Sequence, residues 1–313
     1  MNYNLGIDIG GMSVKGMLLR SDGVVIAEDR IETGARDGGK TLHKNIVTLA
    51  NGLLNRLDGV KSDVAGIGIG CPGLIDSDSG TVVFAGNLGL SFFKLADAVS
   101  DSMGLRVKMT NDANAAALGE AKFGAGKKYK NSILVTLGTG VGGGIIIDGN
   151  LFEGGKSAGA EIGHAVIVHN GLQCTCGRKG CFERYASATA LMEQTRAAME
   201  RDRSSAMWQK YTPQTVTGKT PFEYCEADAA AKSVVDNYIN YLACGIVNLA
   251  NIFRPEVIML GGGVSEQGER LTAPLQEIMD KELFAATGYA PVKVVKASLG
   301  EKAGAYGACA LFM

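Results

Sequence analysis

His164 is followed at short range by Cys174-Thr175-Cys176-Gly177-Arg178-Lys179-Gly180-Cys181. One imidazole nitrogen and three thiolates make a complete tetrahedral set for Zn²⁺, and a full shell leaves no open position for a reactive water. The ion expected on His164, Cys174, Cys176 and Cys181 is therefore structural, with Gly177 and Gly180 letting the chain fold back around it. Zinc bound through one ring nitrogen of His164 leaves the other as an N–H donor. That donor, Glu161 and Glu183 suit vicinal hydroxyls, each of which both donates and accepts. His43 and His169 lack such company and read as ordinary surface or loop residues. Cys71, Cys225, Cys244 and Cys309 lie among apolar neighbours and read as core fillers. Seven cysteines, an odd number, favour free thiols and a metal site over a disulfide framework.

Two glycine loops form the second group. The first is Asp8-Ile9-Gly10-Gly11-Met12-Ser13-Val14-Lys15, whose glycines let backbone N–H groups approach phosphate oxygens. Asp8 ends an apolar strand and reads either as a solvated turn residue or as a holder of the Mg²⁺ water shell. The second, Leu137-Gly138-Thr139-Gly140-Val141-Gly142-Gly143-Gly144, contains a dinucleotide-type glycine spacing. That motif needs a helix directly afterwards, whereas Ile145 to Asp148 reads as a strand, so a dehydrogenase is rejected. Neither loop has the Lys-Ser/Thr ending of a P-loop. What remains is a hairpin whose N–H groups and Thr139 hydroxyl embrace phosphates. Gly261-Gly262-Gly263, after a buried strand, suits the close approach of a flat group such as adenine or its ribose. Asn111-Asp112 stands between a strand and an alanine-rich helix, where Asp112 by itself reads as a helix cap.

The elements that position these residues alternate. Strands are expected at Tyr3 to Ile9, Val14 to Leu19, Val24 to Ala27, Val64 to Gly70 and Val107 to Met109. Helices are expected through Leu42, Ile46, Leu49, Leu53 and Leu57 and near Ala96 to Met103. The program restarts with strands at Ser132 to Leu137 and Ile145 to Asp148, then helices at Ala188 to Arg201 and Ala227 to Phe253. Strands at Glu256 to Leu260 and Pro291 to Lys296 and a last helix at Ala303 to Leu311 follow. A strand–glycine loop–strand opening thus occurs twice. The expected division is a small α/β lobe of 1–110 plus 300–313 and a large one of 111–299 with a zinc-binding element at 161–183, joined near residues 111 and 300.

A chain of 313 residues suits two cores, and 46% hydrophobic with 20% charged residues excludes disorder. The net charge is −1 with no basic run, against nucleic acid as a partner. The start at Met1 to Leu5 carries no signal-peptide pattern and the apolar runs are too short for a bilayer, so a cytoplasmic protein without membrane partners is expected.

Together these residues resemble the ROK family, which groups bacterial sugar kinases with related repressors. The Asp8 loop, Asn111-Asp112-Ala113-Asn114-Ala115, the Thr139 loop, Glu161-x-Gly-His164, the cysteine element through Glu183 and the Gly261 run match it in type and order across the chain. The resemblance implies an α/β, actin-like ATPase (ribonuclease H-like) duplicated fold, with two lobes and sugar and ATP bound in a central cleft. It implies that Asn111, Asp112, Glu161, His164 and Glu183 contact the sugar and that Asp112 is the base. Gly73 and Asn87 stand where the family lines the small-lobe side of the sugar pocket. ATP and Mg²⁺ are expected on Asp8, Gly10, Gly11, Ser13, Lys15, Gly138, Thr139, Gly140, Gly261, Gly262 and Gly263. Dimers are common in the family, so a homodimer is expected. One departure is visible: Met12 replaces the usual Thr, with Ser13 next, and neighbouring strand positions face opposite ways.

The expected activity is ATP-dependent phosphorylation of a hexose, glucose to glucose 6-phosphate first. Fructose, allose, N-acetylglucosamine and N-acetylmannosamine are the rival acceptors. A sugar-responsive repressor is the reading from another class. It places a helix-turn-helix domain before the lobes, and the Asp8 loop begins too near Met1 to accommodate one. A sugar sensor without turnover is the third reading.

Overall fold

The computed structural model describes residues 3–34, 37–57, 61–285 and 289–313, so Met1 and Asn2 of the start considered above lie outside it. Leu5, Ile7 and Ile9 are all buried along β1 (Tyr3–Ile9), which pairs antiparallel with β2 (Ser13–Arg20). β3 (Val25–Glu32) pairs with β2 as far as Ser13 opposite Glu32. The apolar signal at its start stops at Ala27, but an edge strand needs no buried face to continue the ladder. α1 (Lys40–Leu54) buries Leu42, Ile46, Leu49 and Leu53 on one stripe. β4 (Val64–Cys71) lies parallel to β1 and to β8 (Val107–Asn111), giving the order β3-β2-β1-β4-β8. α2 (Leu95–Met103), which ends on left-handed Gly104, precedes β8, and α3 (Asp112–Phe123) follows it.

A separate three-stranded sheet, β5 (Leu74–Asp76), β6 (Thr81–Ala85) and β7 (Leu90–Phe93), was not legible in the sequence. Strands this short give too few alternations to stand out.

The second sheet repeats the first order. β9 (Ser132–Leu137), β10 (Val141–Ile147) and β11 (Asn150–Phe152) correspond to β1, β2 and β3. β12 (Val257–Gly261) runs parallel to β9 and to β13 (Lys293–Lys296), so the order is β11-β10-β9-β12-β13. Between β11 and β12 come α4 (Glu183–Ala186), α5 (Ala188–Arg201), α6 (Thr220–Tyr224) and α7 (Ala229–Phe253). Asp228 caps α7 by accepting the Ala231 N–H at 2.8 Å. α8 (Glu269–Glu282) links β12 to β13, and α9 (Ala303–Ala310) ends the chain's regular structure. No helix among the described residues is long and apolar enough to cross a membrane.

The chain divides into one compact unit of 1–130, 144–160 and 298–313 and another of 131–143 and 161–297. The expected boundary at 110/111 differs from this: α3, with Asp112, belongs to the first unit, as do 144–160. The reason is packing. α3 and α9 approach until a Cβ on Gly119 would collide with the Ala303 carbonyl, and one on Gly307 with that of Ala115. Such backbone contact needs small residues, which the run Ala303-Gly304-Ala305 supplies. Glu120, fully buried on α3, ties the returning chain to it. Its carboxylate accepts Leu299 N at 2.6 Å, Ala125 N at 2.8 Å and Ser298 Oγ at 3.2 Å.

Candidate active site

In the first unit, β1 and β4 end side by side with Asp8 opposite Gly70, while β8 runs directly into α3. A Cβ on Gly70 would stand 3.8 Å from both Asp112 Cα and Asp8 Oδ1, so the two carboxylates share one neighbourhood. Asn111, not Asp112, caps α3: its Oδ1 accepts Ala113 N at 2.8 Å. Asp112 Oδ1 also accepts the Ala113 N–H at 2.9 Å. Burial pushes Asp112 above the usual carboxylate range, against the N–H of Ala113 and the amide of Asn111. Asp8 is pushed up to about 6, mainly by desolvation, with Lys15 pulling it down and Asp112 pushing it further up. Its carboxylate lies against α9, where a Cβ on Gly304 would stand 2.6 Å from Asp8 Cγ. Burial, then Asp112 and Asp8, also raise the Cys71 thiol, which stays neutral packing material.

The first glycine loop is braced from outside. Thr33 Oγ1 donates to the Gly10 carbonyl at 2.6 Å, and Thr33 N to that of Met12 at 3.1 Å. Met12 is 89% exposed at the loop tip, and Ser13 opens β2. Lys15, opposite Asp8 in the ladder, places Nζ 3.0 Å from Glu301 Oε2. Asn111 Nδ2 donates to the Gly73 carbonyl at 3.0 Å, and Gly73 holds φ 103°, a backbone setting that glycine suits. Gly11, Thr33, Asn87 and Leu88 line a cavity of about 90 Å³.

The second unit holds the other predicted groups. In the Thr139 loop, Gly138 N donates to the Gly140 carbonyl at 3.0 Å, and Thr189 Oγ1 to that of Thr139 at 2.8 Å. Glu183 stands at this loop, accepting Val141 N at 3.1 Å through Oε2. A sugar-facing role was expected of it, and the contact it makes here is with the loop backbone. Gly262 packs beside Leu137, with a would-be Cβ 2.6 Å from the Leu137 carbonyl, so the Gly261 run adjoins the Thr139 loop. Gly263 faces open space.

The metal-ligand set is assembled. His164 Nδ1 lies 3.7 Å from Cys174 Sγ, and Cys176 Sγ 3.6 Å from Cys181 Sγ. All four ligand atoms lie within 4.8 Å of one another. Ligands 2.0–2.3 Å from a tetrahedral ion stand about 3.3–3.8 Å apart, so this set fits Zn²⁺. Without a cation, burial pushes the Cys181 thiol up to about 12, while the Arg178 N–H lowers that of Cys176. Gly177 and Gly180, at φ 91° and 82°, make the fold-back. Nδ1 of His164 faces the sulfurs, leaving Nε2 as the second ring nitrogen. Glu161 is exposed beside it, its carbonyl accepting His164 N at 3.0 Å.

Sequence reasoning missed Thr33 and Thr189, which brace the two glycine loops, Gly304, which packs against Asp8, and Glu120, which ties the returning chain to α3. The small-residue run of α9 was the only available signal, since hydroxyl braces far away in sequence leave no local pattern.

A duplicated strand order, with a glycine-tipped hairpin heading each sheet and carboxylates where β1 ends and β8 meets α3, defines the actin-like ATPase class. Within it, the chain belongs to the ROK family, whose sequence model matches residues 4–313. It is 41% identical to a glucokinase of Halalkalibacterium halodurans over 88% of this chain and 84% of that one. It is 34% identical to a glucokinase of Thermotoga maritima over 98% and 96%. Among solved structures, a ROK family glucokinase from Streptomyces griseus, in complex with glucose and AMPPNP, matches with a TM-score of 0.81. Identity there is 32%, covering 99% of both chains.

Proposed function

We propose that this ATP-dependent sugar kinase phosphorylates glucose on its 6-hydroxyl, with Asp112 as the general base. The observation that carries the reading is the near full-length likeness to glucokinases, together with a carboxylate at Asp112 that the helix cap does not consume. Asp112 accepts the hydroxyl proton as that oxygen bonds to the γ-phosphorus, and the bond from γ-phosphorus to the ADP oxygen breaks. The Gly10 and Thr139 loops offer backbone N–H groups to the phosphates, and Gly263 leaves room for the flat nucleoside. Asp8 would hold Mg²⁺, which would supply neutralisation of phosphate charge. Zn²⁺ held by His164, Cys174, Cys176 and Cys181 would fix the His164 ring. Asn111, Gly73 and Asn87 on the first unit and Glu161, His164 and Glu183 on the second are the groups proposed to orient the hydroxyls. Base help is worth about 10²–10⁴-fold, so positioning and charge stabilisation must supply the remainder. A homodimer belongs to the same proposal.

ADP formation measured across glucose, fructose, allose, mannose, N-acetylglucosamine and N-acetylmannosamine tests it. The highest kcat/KM is expected with glucose. A better acceptor in that panel reassigns the substrate, and sugar binding without ADP formation makes the protein a regulator.

A further inference from the structure

Glu153 has no part in the chemistry above, yet three site-bearing segments of the first unit meet on it. Its Oε1 accepts a hydrogen bond from Thr110 Oγ1 at 2.6 Å and another from Ser77 Oγ at 2.7 Å. Thr110 is fully buried and directly precedes Asn111-Asp112. Ser77 follows β5, which begins beside Gly73, and the Gly73 carbonyl is the acceptor for Asn111 Nδ2. Glu153 itself follows β11 and opens the segment leading to Glu161 and His164.

That segment is strained. Lys156, Ser157 and Ala160 hold φ of 56°, 55° and 61°, left-handed values that side chains disfavour. Such conformations persist where surrounding bonds over-determine them, and they gather at functional sites. Here the Glu153 carbonyl accepts Gly159 N at 2.8 Å, and Ser157 Oγ accepts Ser77 N at 3.4 Å. Main chain and side chain of Glu153 therefore hold both the strained segment and the end of β8.

We propose that Glu153 is a positioning residue for phosphoryl transfer, its carboxylate oxygen shared by Thr110 and Ser77 so as to set the place of Asp112. The inference rests on the kinase reading, and the parent enzyme assayed in parallel separates the two. A parent that turns over no hexose defeats that reading; a working parent lets the variants decide this one.

The test is kcat and glucose KM for Glu153→Ala, Glu153→Gln, Ser77→Ala and Thr110→Val, each normalised to folded protein by circular dichroism. Glu153→Ala should lower kcat about 10–100-fold, the scale of a displaced catalytic group, with a smaller change in KM. Glu153→Gln retains a carbonyl oxygen able to accept both hydroxyls and should recover most of the loss. Ser77→Ala added to Glu153→Ala should cost less than Ser77→Ala alone, because the two share one bond network. A residue that served stability alone would lower Tm and leave kcat per folded molecule within about twofold of the parent, which overturns the proposal. Should Glu153→Ala not fold, Thr110→Val decides: it keeps the volume and removes the hydroxyl. A roughly tenfold loss of kcat supports the clamp, and parental kcat overturns it.

Discussion

Asp112 sits in the first turn of α3 while Asn111 takes the cap, so one of its oxygens stays clear of the helix terminus. Asp112→Ala should lower kcat about 10²–10⁴-fold while leaving glucose affinity within about tenfold. Single-turnover kinetics and calorimetry read the two separately, and substantial turnover in the variant would remove Asp112 from the role. Desolvation pushes Asp8 up to about 6, and in the proposed role only its ionised form would hold Mg²⁺. The Mg²⁺ concentration for half-maximal rate should therefore climb as pH falls through about 6, by up to about tenfold per pH unit below it. For the metal-free fold the sign reverses. The folded state binds this proton more tightly than the unfolded chain, so its contribution is present at acid pH and is lost as pH rises through about 6. Asp8→Asn should then melt above the parent at pH 8 in EDTA while losing activity, and an equal or lower Tm would contradict it. A carboxylate that costs stability when ionised is consistent with selection for function at that position.

The cluster of His164 with three cysteines shows how chain geometry and chemistry divide the work. Left-handed Gly177 and Gly180 turn the chain so that Cys174, Cys176 and Cys181 meet His164. Cys176→Ser should release the ion, measured by elemental analysis, and raise glucose KM about 10–100-fold through the loosened His164 ring. An unchanged KM in a zinc-free variant would break that coupling. This element was legible because its ligands lie close in sequence and thiol chemistry is specific. The helices α5 and α7 were legible from their apolar periodicity, and α5 begins and ends where it was read. The three-stranded sheet β5-β6-β7 was not, because its strands run only three to five residues. Met12 stands at the exposed tip of the first loop and contributes no hydroxyl, while Thr33 braces the loop through the Gly10 carbonyl.

At the scale of the whole chain, mass action gives the simplest check on ligand binding. Glucose at about a hundred times its Kd should stabilise the folded protein by about 2.7 kcal/mol, raising Tm by roughly 4 °C. Galactose, an epimer, should raise it less, and a shift no larger with glucose would count against glucose as the acceptor. The sequence by itself determined the family, the repeated strand–glycine loop–strand opening, the grouping of His164 with the three cysteines and the place of Asp112 at a strand–helix junction, because each is carried by residue types at short separations. Only tertiary structure decided that α3 belongs with the first unit, that Glu183 also holds the Thr139 loop, and that Glu153 gathers Thr110 and Ser77. These rest on contacts between residues far apart in the chain: backbone approach at Gly119 and Gly307 and hydrogen bonds across tens of residues. Local spacing carries no trace of such contacts, since the geometry that creates them exists only once both sheets have formed.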